Sequence, residues 1–284
     1  MNKKIGITAA SLILLVLAGL VIWLGMGQSK SSKSEKVEDY QTPTLYLHGY
    51  GGGKGSTKSL IAYAQQHAGA KQVLQAKVDK AGTVELKGNW KKGTKRPLIQ
   101  VLFEDNRNSD FNDPAAWLKA VVLKLQKEYD IKHMNIVAHS MGNLSFMYYQ
   151  ANYGQDKSLP QVDHYVALAG HFDGIRSQDD PANQNSIAAD GRPAIIHYYY
   201  QYLLDHRQDF AMKNTRVDNI YGNLNDGSNS DGTVTVTSAR ALAYLLKGQV
   251  KSYQEDLIEG KQGQHSRLHE NNKVAAKIDD FLWS

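Results

Sequence analysis

Met134-Asn135-Ile136-Val137-Ala138-His139-Ser140-Met141-Gly142 is the stretch on which the fold turns. The apolar run over residues 134–138 predicts a short buried strand, and it stops at Ser140. Leu144, Met147, Tyr148 and Ala151 then fall on one face of a helix. A sharp strand–turn–helix with a serine at its tip demands small residues two positions before and two after that serine. Ala138 and Gly142 occupy those positions. Alanine replaces the commoner first glycine, and the demand is steric, so it can serve. Ser140 would then hold its Oγ exposed at a helix N-terminus, where free N–H groups and the helix dipole favour negative charge. An ordinary N-cap serine is the competing explanation of the five residues alone. The strand before them favours the turn.

The chain around this turn alternates strands and helices. Residues 44–48 are a short apolar strand running into His48-Gly49-Tyr50-Gly51-Gly52-Gly53, and a helix follows over residues 59–67. Clustered glycines let backbone turn sharply and approach a ligand. Residues 71–87 alternate loosely about Lys80-Ala81-Gly82, which predicts a hairpin inserted beside the main sheet. Residues 97–103 are another apolar strand. Asp113-Pro114 predicts a helix start, cap then first-turn proline, for a helix whose apolar stripe is Trp117, Leu118, Val121, Val122 and Leu125. A strand over 162–169 completes a β-α-β-α-β run, the pattern of a mostly parallel sheet with helices on both faces. Residues 170–210 break it with a cap-like insertion, in which Tyr198, Tyr199, Tyr200 and Tyr202 could line a cleft, though helix packing explains most of them better. Residues 217–221 predict a strand, 238–246 a helix, 250–253 the last strand, and Val274, Ile278, Phe281 and Leu282 one face of a closing helix.

The chain has 284 residues, no cysteine and a formal charge of +5. Disulfides, Cys-based metal sites and lipoprotein anchors are therefore excluded. Lys3, Lys4, Lys30, Lys33 and Lys36 against Glu35 account for most of the charge, and a nearly neutral remainder argues against nucleic acid as a partner. Residues 5–24 are uncharged and long enough to span a bilayer, with Trp23 near the far end and two lysines before them. We expect an uncleaved transmembrane signal anchor over residues 1–27, a Ser/Lys-rich linker over 28–39 and a catalytic domain over 40–284, outside the cell. A cleavable signal peptide is the rival, but no A-x-A-like site is evident.

A serine hydroxyl needs a base within reach, and the base needs a carboxylate to fix its tautomer. After Ser140 come an acid-rich loop following one strand and a histidine loop following the last. Asp231 precedes regular structure directly and is preferred over Asp226. His265 lies in the loop proper, and His269 is its competitor. The two are four residues apart, a zinc-pair spacing, but no H-E-x-x-H pattern or third ligand accompanies them, and no metal or cofactor is expected. His48 and His139 are expected to pack or orient. Backbone N–H groups of Tyr50 and Met141 are placed to receive an oxyanion.

His48-Gly49-Tyr50-Gly51-Gly52, Ala138-His139-Ser140-Met141-Gly142, Ser230-Asp231-Gly232 and residues 265–271, in that order, resemble the α/β-hydrolase superfamily. More closely, they resemble the DUF915-type cell-surface hydrolases of low-GC Gram-positive bacteria, over residues 40–284. The resemblance implies an α/β-hydrolase fold, a Ser140-Asp231-His265 triad and an extracytoplasmic location. A small residue, then x-Leu, then the last helix after the histidine places the base at His265. The function implied is a carboxylesterase- or lipase-like serine hydrolase acting on a small-molecule or lipid ester. Acyl transfer on the same residues and a non-catalytic binding protein are the alternatives. Neither the substrate nor the oligomeric state is legible here.

Overall fold

The structure is a computed structural model that describes residues 40–283. The expected anchor and linker lie outside the described residues. Among the described residues, no helix is long and apolar enough to cross a membrane.

Eight strands form one sheet: β1 (Thr44–Leu47), β2 (Lys71–Val78), β3 (Val84–Gly88), β4 (Pro97–Phe103), β5 (His133–His139), β6 (Gln161–Leu168), β7 (Arg216–Asn223) and β8 (Ser252–Glu259). Their spatial order is β3-β2-β4-β1-β5-β6-β7-β8. Every neighbouring pair is parallel except β2 and β3, the predicted hairpin. The helices are α1 (Lys54–His67), α2 (Asn112–Tyr129), α3 (Met141–Tyr153), α4 (Tyr198–Asp205), α5 (Val236–Leu245), α6 (His265–Leu268) and α7 (Asn272–Trp283).

The central strands are apolar along their length because both faces are covered, as parallel sheets require. In β1, Leu45 and Leu47 join a core shared with α2, α3, α4 and α5, while Tyr46 joins a second core shared with α1 and α7. The alternation repeats in β5, with Ile136 and Ala138 on the first face and Val137 on the second. The stripe of α2 is buried as expected. Its start differs: Asn112 opens the helix, its N–H donates to Asp110 Oδ1 at 3.1 Å, and Asp113-Pro114 fall in the first turn. The cap position is therefore Phe111, which makes no side-chain cap, and Asp110 just before it takes the first N–H of the helix.

The last strand also differs. It runs over Ser252–Glu259, later than expected, because it is a half-exposed edge that keeps charged residues. Glu255 pairs with Arg240 and Asp256 with Lys277, so the apolar signal that marks central strands is missing. The insertion between β6 and α4 has no long element, but it is tied down. Asp173 accepts the backbone N–H of His197 at 2.8 Å, Asn185 bonds Ile195 through both its amide atoms, and Asp180 accepts from the Thr235 hydroxyl.

Candidate active site

The carboxyl ends of the parallel strands converge on one edge, where open α/β sheets place their ligands. Loops after β1, β5, β6, β7 and β8 deliver His48–Gly53, Ser140, His171, Asp231 and His265 in turn.

Ser140 sits between β5 and α3 with φ 52 and ψ −125, a region that non-glycine residues avoid and that functional sites retain at a cost of about 1–3 kcal/mol. Its surroundings over-determine that conformation. The Ser140 N–H donates to the Leu168 carbonyl at 2.9 Å. Asn143 donates through Nδ2 to the carbonyls of both Ser140 and Leu168, and its Oδ1 accepts from the Tyr165 hydroxyl at 2.8 Å. The small residue two after the serine is required: a Cβ on Gly142 would stand 2.8 Å from the His48 carbonyl oxygen. Ala138 is fully buried at the other small position.

Ser140 Oγ lies 2.9 Å from His265 Nε2, and His265 Nδ1 lies 2.7 Å from Asp231 Oδ2. All three residues are buried. The second oxygen of Asp231 accepts the N–H groups of Thr233 and Val234, and the Asp231 carbonyl accepts the His265 N–H at 3.0 Å. This carboxylate is held on both sides, with one oxygen left for the imidazole. Asp226, by contrast, is exposed and turns its carboxylate onto the Ser228 N–H within its own loop.

His265 opens α6 rather than lying in open loop. His269 packs edge-on against the His139 ring, with centroids 4.7 Å apart, and its Nδ1 has no partner among the described residues. His139 Nε2 is 3.2 Å from the His265 carbonyl, to which it can only donate. Burial, reinforced by His265 and His269, holds the His139 ring well below the usual histidine pKa, so it is an uncharged donor that steadies the His265 backbone.

The glycine loop is braced in the same manner. His48 Nε2 accepts the Phe103 N–H at 3.0 Å, which leaves Nδ1 to donate to the Gly49 carbonyl at 2.9 Å. Burial lowers the pKa of His48 against the opposing pull of that carbonyl, consistent with this single tautomer. Gly51 donates to the Asn106 carbonyl and Asn106 Nδ2 donates to the Gly52 carbonyl. The loop lies against the serine: a Cβ on Gly49 would come within 2.7 Å of Ser140 Cβ. Among the described residues, no group accepts the N–H of Tyr50 or of Met141. Both are thus free to donate, as an oxyanion would need.

Above Ser140 opens a cleft of about 610 Å³, and Tyr198 and Tyr199 do line it, beside Tyr50, Phe111 and the insertion residues Ile175 and Asp179. Tyr200 and Tyr202 are packing residues, with hydroxyls donating to Ala241 and Asn152. Sequence reasoning missed the bracing by Asn143 and Asn106 and the presence of His171 in the cleft. A polar residue inside an apolar helix run was the available signal for Asn143. The arrangement has the parts for nucleophilic attack by an alcohol oxygen: a hydroxyl, a base at hydrogen-bond distance, a carboxylate fixing the base, and free donors nearby.

A family model described as an alpha/beta hydrolase of unknown function (DUF915) matches residues 31–284. Among solved structures, a Listeria innocua gene product is similar at 28% identity and a TM-score of 0.77, with 86% of this chain and 94% of that chain covered. A candidate cell surface hydrolase from Lactobacillus plantarum is similar at 23% identity and a TM-score of 0.70, with 85% of this chain and 91% of that chain covered. The second likeness, at that identity, bears on the fold alone. No curated protein matches the chain.

Proposed function

We propose that this chain, which belongs to the family of alpha/beta hydrolases of unknown function DUF915, is a serine hydrolase that cleaves carboxylic esters through an acyl-enzyme. The observation that carries the reading is the unbroken contact from Ser140 Oγ to His265 Nε2 and from His265 Nδ1 to Asp231. In this mechanism Ser140 Oγ attacks the ester carbonyl carbon as His265 Nε2 takes its proton. Asp231 keeps the remaining imidazole proton on Nδ1 and stabilises the imidazolium. The N–H groups of Met141 and Tyr50 receive the negative charge that develops on the carbonyl oxygen. Collapse breaks the C–O bond, and the alcohol leaves with the proton from His265. Water, deprotonated by the same imidazole, then releases the acid and restores Ser140.

The same reading puts the domain outside the cell on a membrane anchor. It is supported by the uncharged residues 5–24 behind Lys3 and Lys4. The substrate is a small-molecule or lipid ester, with no cofactor and no nucleic acid involved.

A fluorophosphonate probe tests the chemistry. It is expected to label the protein at Ser140, to fail on Ser140→Ala, to label Asp231→Asn weakly, and to label Asp226→Asn nearly normally. A folded protein that neither takes the probe nor cleaves any ester would overturn the enzyme reading in favour of a binding protein. Protease added to intact cells tests the location: the domain is expected to be shaved from the surface, and full protection would remove it from there.

A further inference from the structure

His171 is only 3% exposed, yet its ring lines the cleft above Ser140. Its Nδ1 is buried with no hydrogen-bond partner among the described residues. That atom is sealed from the cleft, so the ring meets a ligand through Nε2, which bonds no group among the described residues and is left for a partner that arrives with the ligand. The backbone that delivers this ring is itself unusual. Ala169, two residues earlier, has φ 50, a left-handed conformation that an alanine adopts only when its surroundings impose it. The Ala169 N–H donates to the Ile220 carbonyl at 2.8 Å, and Asn143 takes the Leu168 carbonyl just before it. The strained turn at the end of β6 thus holds His171 where it stands. Burial, reinforced by His265, pushes its pKa down to about 3, so the ring offers a hydrogen bond without a charge.

The rest of the cleft agrees. No lysine or arginine lines it among the described residues, and its one carboxylate, Asp179, already accepts the Ile175 N–H and the Tyr199 hydroxyl. An anion entering here would meet a fixed negative charge with no cation to offset it. Aromatic faces stand ready at the mouth, with Tyr50 60% and Tyr198 81% exposed. Rings of this kind cover an apolar face while leaving hydroxyls free to hydrogen-bond.

We propose that the cleft takes an uncharged, hydroxyl-bearing ester, an acylated neutral sugar being the type, and that His171 hydrogen-bonds a substrate hydroxyl next to the scissile bond. The proposal rests on the serine-hydrolase reading and adds to it a substrate class and a specificity-determining residue. A site built to bond a hydroxyl discriminates against the analogue that lacks it, because its polar group is then left unpaired.

Three acetate esters test it on the full chain in detergent: a 6-O-acetyl glucoside, cyclohexylmethyl acetate of similar size without ring hydroxyls, and a sulfated acetyl glucoside. For the unmodified protein, kcat/KM for the neutral glucoside is expected to exceed both others by roughly tenfold or more, the value of about one well-made hydrogen bond. His171→Phe should raise KM for the glucoside and collapse its advantage over the cyclohexyl ester, while His171→Gln should recover part of it. An unchanged ratio of the two esters in His171→Phe, or a sulfated ester turned over as well as the neutral one, overturns the proposal. If the probe labels Ser140 but the glucoside has no advantage, only the substrate class falls. If no ester is cleaved and no probe is taken, the hydrolase reading falls with it.

Discussion

At the scale of single residues, the five histidines around the nucleophile are used in four distinct ways, and burial and partners decide which. His48 and His139 are uncharged braces, one for the glycine loop and one for the backbone of His265. Among the described residues, the His171 ring makes no hydrogen bond, and His265 alone bridges a hydroxyl and a carboxylate. His269 packs behind His139, and burial lowers its pKa. The two candidate bases therefore separate sharply under mutation. His265→Ala should lower kcat/KM on the order of 10⁴-fold, close to Ser140→Ala, because residues that act as one unit give similar losses singly. His269→Ala removes packing only and should cost less than about tenfold. Steady-state kinetics on a short acyl ester distinguishes them, and the opposite ranking would move the base to His269. The separation was only partly visible in the sequence. Spacing and the following x-Leu favoured His265, but both histidines lie in one short segment, and only the fold shows which ring meets Asp231.

At the scale of elements, the strand–turn–helix and the glycine loop form one unit. The loop packs against the serine so tightly that no side chain fits at Gly49. Gly49→Ala would force Ser140 or the loop away by several tenths of an ångström, and displacements of that order at a reacting atom are costly. We expect its kcat to fall at least tenfold while circular dichroism stays native; unchanged turnover would show that the loop is freer than its contacts imply. Asn143→Ala acts differently. It removes the acceptor of the buried Tyr165 hydroxyl and the side-chain donor to the Ser140 and Leu168 carbonyls, and should cost about 1–3 kcal/mol. A thermal midpoint within a degree of the unmodified protein would contradict this. These elements were legible for a physical reason: β1, β4, β5 and β6 are covered on both faces and so appear as apolar runs. The edge strand β8 was misplaced because it is half-exposed and keeps Gln254, Glu255, Asp256 and Glu259 on its two faces. The brace by Asn106 left no local signal, since it bonds to backbone that neighbours it only through the fold, whereas Asn143 was marked as a polar residue in an apolar helix run.

At the scale of the whole molecule, the sheet face beneath α7 carries an unusual electrostatic load. Asp218 in β7 is fully buried, and Asp279 in α7 is nearly so. Burial, with neighbouring Asp256, pushes the Asp218 pKa up to about 7. Burial, with neighbouring Asp280, does the same to Asp279, also to about 7. Both values lie above the ordinary carboxyl value of 3.8, so the folded state holds these two protons more tightly than the unfolded chain does. Linkage then gives the sign: their contribution to stability is complete at low pH and is lost as pH rises through about 7. His48, His139, His171 and His269, whose pKa values burial lowers from 6.5, respond in the opposite sense up to that value, so the effect is isolated by the difference between variant and unmodified protein over a window of about pH 4 to 8.5. The two acids by themselves lower the midpoint up to about pH 7 and leave it level above. Asp218→Asn keeps the shape of the buried group and removes its charge, so it should flatten the fall. Its lead over the unmodified protein should grow from about pH 4 to about pH 7 and stay constant above that. Asp279→Asn should do the same in smaller or similar measure. Because α7 follows directly on the segment that carries His265, loosening it at high pH should also shorten the half-life of activity, and this loss should be slower in Asp218→Asn. Scanning calorimetry and timed activity assays across the window decide it. A variant that tracks the unmodified protein throughout would place the ionisation of these two acids in the unfolded chain as much as in the fold.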